Sequence, residues 1–338
     1  MINNKKAILL INVGTPESPD KKAVRKYLSE FLNDPRMIDM PAMLRYFLVN
    51  FIIVPFRAPK SAKLYKIMWN DKGSPLLYYT NKLVEKVNAN LGVNYDVYPA
   101  MRYGNPSLKK ALTDIKNKKY DEIIVVPLFP QYASSTSGSI LELVFNEISG
   151  WYIIPKVSSV PTFYSNDHYL NAVISKSDDF DINKYDHVIF SYHGLPLSHI
   201  NSSHPEIDES KCSCPDTMPS HGRYCYKAQC YETTRLLTDK LNLSKDRYSV
   251  SFQSRFAKKW LSPFTDELLK KLAGRGIKRI LVFAPSFVTD CLETIVEINY
   301  EYKELFKKYG GEELDLVPSL NDSDDWADAL TQIIRQNL

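Results

Sequence analysis

His187-Val188-Ile189-Phe190-Ser191-Tyr192-His193-Gly194-Leu195-Pro196 is a run of β-branched and aromatic residues that breaks off in a Gly-Leu-Pro turn. The run predicts a buried strand, with His193 at its carboxyl end. In open parallel α/β sheets, ligands bind at that edge. A lone histidine at a strand end is more often structural, bonded to a nearby carbonyl. The reading therefore needs support from elsewhere in the chain.

Working outward, the same kind of segment recurs. Ala7 to Pro16 (AILLINVGTP) parallels Val188 to Pro196 (VIFSYHGLP), and Val97 to Arg102 parallels Val250 to Arg255. Ile123 to Phe129 parallels Leu281 to Phe287. Each half reads strand, helical stretch, strand, helix, strand, the signature of a doubly wound parallel α/β sheet. We expect one domain over residues 1–165 and a second over 166–325, the first ending after the strand Val157 to Val160. A C-terminal helix over 326–338 is expected beyond the second repeat. A cleft between two such domains, with strand ends facing it, is a natural place for a flat ligand.

About a hundred residues past His193, the strand of Lys278 to Phe287 runs into Val288-Thr289-Asp290-Cys291-Leu292-Glu293. A helix is expected from about Asp290. Glu293, Glu297 and Glu301 then fall four apart, on one face of an α-helix. A solvated acidic face is the ordinary explanation. Position argues otherwise, because Glu293 lies in the first turn, at the same sheet edge as His193. An imidazole facing a carboxylate across a cleft suits binding a divalent metal or moving protons.

Composition excludes several classes. The net charge of +4 is slight and scattered, which gives no footprint for nucleic acid. There are only 12 glycines, and no GxGxxG or GxxxxGK[ST] follows any strand, so dehydrogenase and kinase readings are poor. Thr136-Ser137-Gly138-Ser139 suits an anion at a helix start or a plain cap. The polar start Met1 to Lys6 shows no secretory signal, and a cytoplasmic protein is expected. Met40 to Phe56 (MPAMLRYFLVNFIIVPF) is unusually apolar but interrupted by Arg45 and Asn50, and reads as too short to span a membrane. It is either a buried helix or an exposed apolar lip that collects a hydrophobic substrate or rests on a membrane surface.

Four of the five cysteines, Cys212, Cys214, Cys225 and Cys230, fall within nineteen positions of a loop rich in Pro, Ser and Gly. Without a secretory signal, that density favours a metal centre over disulfides. Four thiolates suit a [2Fe–2S] cluster or a zinc ion. The spacing lacks the paired CxxC knuckles of common zinc sites.

Seven ordered blocks resemble the ferrochelatase family from residue 7 to about 325. They are Asn12 to Pro16, Gly73 to Leu76, Met101 to Pro106, Pro127 to Tyr132, Ser191 to Pro196, Gln253 to Arg255 with Trp260-Leu261, and Phe287 to Glu293. The resemblance implies two Rossmann-like domains of chelatase type, with the active site in the cleft between them. It implies insertion of Fe2+, a substrate, into protoporphyrin IX to form haem with release of two protons. Coproporphyrin III or another metal, and a non-catalytic tetrapyrrole carrier, are the alternatives.

By the same resemblance His193 and Glu293 are the catalytic pair, and the family leaves open which takes protons and which binds iron. Glu297 and Glu301 continue a carboxylate track for metal or protons, and Asp290 orients the first turn. Val13, Tyr103, Trp260 and Phe287 pack on the porphyrin, and Arg57 or Arg102 meets a propionate. Residues 40–56 form a lip over the porphyrin pocket, and the apolar character of that segment adds the expectation of a peripheral contact with the inner face of a membrane. Some members carry a [2Fe–2S] cluster on cysteines in this internal region, so the cluster is the first expectation, zinc the second and free thiols the third.

Two positions depart from or refine the pattern. Many members have histidine two residues before the motif glutamate, where this chain has Cys291. Members acting on coproporphyrin often carry tyrosine at the place of Val13, and valine suits the protoporphyrin type. Oligomeric state is not legible.

Overall fold

The computed structural model describes residues 5–338. Two four-stranded parallel sheets organise them. The first contains β1 (Lys6–Thr15), β2 (Tyr95–Gly104), β3 (Glu122–Pro127) and β4 (Lys156–Ser159), in the order β2-β1-β3-β4. The second contains β5 (His187–His193), β6 (Tyr248–Gln253), β7 (Arg279–Phe283) and β8 (Glu313–Leu316), in the order β6-β5-β7-β8. The two orders are the same, so the internal repeat seen in the sequence is a repeat of topology.

Chemistry follows place in each sheet. The central strands β1 and β5 have neighbours on both sides and helices on both faces, which is why they read as continuous apolar runs. Ala7 to Ile11 and Val188 to Tyr192 are wholly buried. In the first unit, Leu112 and Ile115 of the helix Leu108–Lys118 and Val144 of the helix Ser139–Ser149 pack with Leu9, Ile11 and Val125. In the second, Leu269 and Leu272 of the helix Thr265–Gly274 pack with Ile189, Ile280, Val282 and Phe306. The edge strand β8 (ELDL) was not foreseen. It is short and charged, and it becomes a strand only because β7 offers a parallel partner, with Ile280 opposite Leu314.

Contacts divide the chain into two units. One holds the chain up to Phe129, Ser134–Thr162 and Asn321–Leu338, and the other holds Pro130–Ala133 and Phe163–Leu320. The last helix, Asp324–Arg335, therefore belongs to the first unit. There Asn90 Nδ2 donates to Asp328 at 2.8 Å, and Lys86 Nζ meets Asp324 at 2.8 Å. At the amino end of the first sheet, Glu122 joins three strands. Burial alone would raise its carboxyl, but Lys156, Ser158 and Lys6 outweigh burial and hold it at about 2.

Gly14 marks the carboxyl end of β1. Its φ is +111°, and a Cβ there would lie 1.8 Å from the carbonyl oxygen of Tyr103 on the adjacent strand. Only glycine fits.

The apolar segment is neither buried nor short. Ala42–Met68 is one continuous helical stretch, with a wide i→i+5 turn at Leu48–Ile53, and it is long and apolar enough to cross a membrane. The expectation of a run too short to span stopped at Phe56, yet the helix continues through Arg57 to Met68. Over residues 42–56 its polar residues turn inward, whereas Arg57, Lys60, Lys63 and Lys66 beyond are exposed. Arg45, 9% exposed, donates to the carbonyls of Asn33 at 2.8 Å and Met40 at 2.7 Å, and Asn50 accepts from Ser29 at 2.5 Å. Its apolar residues turn outward: Met43 and Phe56 are 74% and 75% exposed, and Phe47 stacks on Phe51 at 5.6 Å between centroids. This reverses the usual amphipathic helix and removes the buried-helix alternative.

Candidate functional site

His193 ends β5 opposite Gln253, the last residue of β6. Its Nδ1 lies 2.6 Å from the carbonyl oxygen of Gly194. A carbonyl can only accept, so Nδ1 carries a proton, and Nε2 is the nitrogen that a neutral ring would leave bare. Gly194 is required for this packing. A Cβ there would fall 2.8 Å from the Gln253 carbonyl and 3.4 Å from the Trp260 ring. The half-buried rings of Trp260 and Phe287 stand 6.5 and 6.3 Å from the imidazole, centroid to centroid.

Gln253 ties the strand end to the acidic helix. Its Oε1 accepts from Ser191 at 2.7 Å, which turns Nε2 toward the backbone carbonyl of Glu293 at 3.2 Å and the Glu297 carboxylate at 3.1 Å. The acidic helix differs from the expected form. Glu293–Tyr302 is a π-helix, with i→i+5 bonding, and it begins at Glu293 rather than near Asp290. Ahead of it, Thr294 Oγ1 lies 3.1 Å from the Asp290 carboxylate and accepts from the Cys291 N–H at 3.0 Å.

The three glutamates stand in different surroundings. Glu297 accepts from Gln253, from the Ser254 N–H at 2.8 Å, from the Ser254 hydroxyl and from Tyr302 at 2.7 Å. Four donors fill the acceptor positions of one carboxylate, so Glu297 is a clamp between β6 and the π-helix as much as a step in a track. Ser254 meets it from a left-handed backbone, φ +60°. Glu301 is exposed, and burial of its carboxyl, followed by the charge of Glu297, raises it above the usual range.

The first unit places its expected contacts unevenly. Val13 is half-buried at the end of β1, and Arg57 is exposed on the long helix. Arg102 and Tyr103 are committed elsewhere. Asp34 accepts from Arg102 Nη2 at 2.6 Å, Tyr103 at 2.8 Å and Ser139 at 2.6 Å. Burial alone would raise the Asp34 carboxyl, but those hydroxyls, the Arg36 N–H and the Arg102 charge hold it below the usual range. Tyr103 is 1% exposed and edge-on to Phe31, so it is core and offers no face to a flat ligand. Ser139 Oγ also accepts from Arg102 Nε at 2.7 Å, so this hydroxyl serves as an internal tether.

The ferrochelatase family model matches residues 5–338. The chain is 41% identical to a ferrochelatase of Coxiella burnetii (strain Dugway 5J108-111), over 99% of this chain and 95% of that protein. It is 40% identical to a ferrochelatase of Legionella pneumophila (strain Paris), over 99% and 100%. The chain belongs to the ferrochelatase family.

Members of this family insert a metal into a porphyrin. Among solved structures, SirB from Bacillus subtilis with Fe3+ matches with a TM-score of 0.57 at 14% identity, over 98% of this chain and 95% of SirB. DR2241 from Deinococcus radiodurans, a multi-domain protein with structural similarity to chelatases, matches at 0.53 and 9%, over 99% of this chain and 56% of its own. At such identities these likenesses speak for the fold alone.

In this ferrochelatase-family chain, Cys291 stands beside Glu293. Burial first, then the Glu293 carboxylate, push its thiol well above the ordinary value. A neutral thiol thus stands beside the Glu293 carboxylate.

The four remaining cysteines are all buried and share one neighbourhood with two histidines that sequence reasoning passed over. Cys212 Sγ lies 3.2 Å from His221 Nε2, Cys225 Sγ lies 3.3 Å from His204 Nε2, and the two imidazoles meet edge-on at 4.9 Å. His204 precedes the cysteines in sequence and His221 falls between Cys214 and Cys225, which was the available signal. Burial raises the thiols of Cys214, Cys225 and Cys230. Among the described residues, no group of three or more His, Cys, Asp and Glu side chains is placed so as to hold a metal ion.

Proposed function

We propose that this chain inserts Fe2+ into protoporphyrin IX, forming haem and releasing two protons. The observation that carries the reading is the His193 ring at the carboxyl end of β5, where Nε2 is the nitrogen a neutral ring would leave bare, with the Glu293 turn bound to Gln253 opposite it. A planar porphyrin with two inner N–H groups needs a base and a compensating charge as the metal enters. His193 Nε2 takes a pyrrole proton, and Glu293 supplies negative charge for the second proton or the incoming iron. Trp260 and Phe287 supply the apolar surroundings that a macrocycle requires. Arg57 is the exposed candidate for a propionate, and Arg102 is held by Asp34. The test is an anaerobic assay with Fe2+, following loss of porphyrin fluorescence and growth of the haem spectrum, with coproporphyrin III as parallel substrate. Haem from protoporphyrin supports the reading, turnover of coproporphyrin alone transfers it to that substrate, and tight binding without insertion favours a carrier.

The cysteine loop is proposed as a thiolate metal centre, a [2Fe–2S] cluster ahead of zinc. What supports this is the donor set: four buried thiols, with burial opposing the ionisation of Cys214, Cys225 and Cys230, a cost that a bound metal offsets. The residues match in kind, although their present spacing does not draw three together. When bound, such a group would be held by Cys212, Cys214, Cys225 and Cys230, and it would add stability or redox sensitivity, since metal insertion moves no electrons. Purified protein should contain iron and sulfide in equal amounts, and Cys225→Ser should lose both together with the visible colour. Zinc without sulfide, or iron unchanged by the substitution, would sink the cluster.

The lip is proposed as a peripheral membrane contact, supported by its outward aromatic face. Phe47→Ser with Phe51→Ser should abolish co-flotation with anionic phosphatidylglycerol vesicles. Undiminished flotation would place the contact elsewhere.

A further inference from the structure

We propose that Tyr226 is a positioning residue for His193. The β5–β7 ladder ends at Phe190 opposite Phe283, so the His193 carbonyl extends past its neighbour on that side. Tyr226, the first residue of the helix Tyr226–Lys240, fills the gap: its hydroxyl donates to the His193 carbonyl at 2.9 Å. On the opposite side the Gly194 N–H donates to the Gln253 carbonyl at 2.8 Å. The peptide group joining His193 to Gly194 is thereby held through both its C=O and its N–H. The imidazole is bonded to the carbonyl of Gly194 itself, so these three bonds together decide where Nε2 points.

Neighbouring groups fix the direction of the Tyr226 bond. Thr233 Oγ1 donates to the Gln229 carbonyl at 2.9 Å and accepts from Gln131 Nε2 at 3.0 Å, which turns Gln131 Oε1 toward Ser286. Ser286 Oγ gives its one proton to that oxygen at 3.0 Å. Tyr226 also lies 3.2 Å from Ser286 Oγ, whose one proton is given to Gln131, and beside the Cys230 sulfur, a weak acceptor, so the His193 carbonyl at 2.9 Å is the strongest acceptor within reach of its proton. Tyr226 is buried, so water cannot replace its hydroxyl when it is removed. The bond also joins two regions that sequence reasoning treated separately. Cys225, in the cysteine loop, occupies the N-cap of the helix that Tyr226 opens. Motion or metallation of that loop reaches His193 through one side chain.

The inference rests on His193 acting at the porphyrin, and the experiment separates the two claims. Tyr226→Phe is compared with wild type and with Tyr192→Phe, which removes an equally buried hydroxyl bonded to Thr234 on the same helix. Displacing a reacting group by about 1 Å costs on the order of 10²-fold in rate. Tyr226→Phe should lower kcat about 10- to 100-fold with porphyrin and iron KM within about twofold, whereas Tyr192→Phe should keep kcat within about twofold. In parallel, 15N NMR of the His193 ring, without substrate, should give one sharp Nδ1–H tautomer in wild type and averaged signals in Tyr226→Phe. Equal kcat in the two variants together with unchanged ring signals overturns the inference. Moved ring signals in a wild-type background that forms no haem would remove the activity and leave the positioning role standing.

Discussion

His193→Ala is expected to lower haem formation from Fe2+ and protoporphyrin IX by at least about 10³-fold, while porphyrin still binds. General acid–base groups contribute about 10²–10⁴-fold. The loss should be specific. His193 is half-buried at a strand end, and its backbone bonds, from Tyr226 to its carbonyl and from Gly194 N–H to Gln253, do not involve the imidazole. Alanine therefore removes the base and leaves the edge standing. Fluorescence titration with porphyrin and stopped anaerobic turnover separate the two effects. Wild-type turnover in the variant would remove His193 from the chemistry; loss of porphyrin binding with it would make the residue a contact instead.

Glu293→Gln is expected to lower kcat about 10²-fold and to change porphyrin affinity by less than about threefold. Glutamine keeps the shape and the backbone carbonyl that Gln253 holds at 3.2 Å, and it removes only the charge. That charge is hard to replace locally. Glu297 has its acceptor positions filled by Gln253, Ser254 and Tyr302. Glu301 is exposed at the far end of the π-helix, and Cys291 is a neutral thiol. The contrast with Glu297 is useful: substitution there should loosen the clamp between β6 and the π-helix, and lower thermal stability as well as rate. Comparable rates for wild type and Glu293→Gln would take this carboxylate out of the mechanism.

Much of this arrangement was legible beforehand because it is written in local patterns. Strands flanked on both sides must be apolar throughout, so β1, β3, β5 and β7 stood out, as did the repeat that pairs them. Glycine and proline mark strand ends, which placed His193 at an edge. The edge strand β8 escaped notice because its short charged sequence gains strand structure only from β7. The fate of Arg102 and Tyr103 escaped for a related reason. Nothing near them in sequence announces Asp34, sixty-eight and sixty-nine positions away, as the acceptor that draws both inward. The glutamate spacing was read with the α-helical period, and the chain adopts a π-helix there instead.

The sequence by itself determined the family, the α/β repeat, the choice of His193 and Glu293 as the proposed pair and the crowding of four thiols in one loop. These are properties of residue type and spacing, which survive without coordinates. Only the tertiary structure decided which nitrogen of His193 a neutral ring would leave bare, that Glu297 is saturated by donors, that the lip faces outward, and that Tyr226 holds the His193 carbonyl. Each of these depends on which hydrogen-bond donor meets which acceptor across distant segments. A hydrogen bond exists only within a few tenths of an ångström and a narrow range of angle, and folding sets that geometry where residue spacing does not.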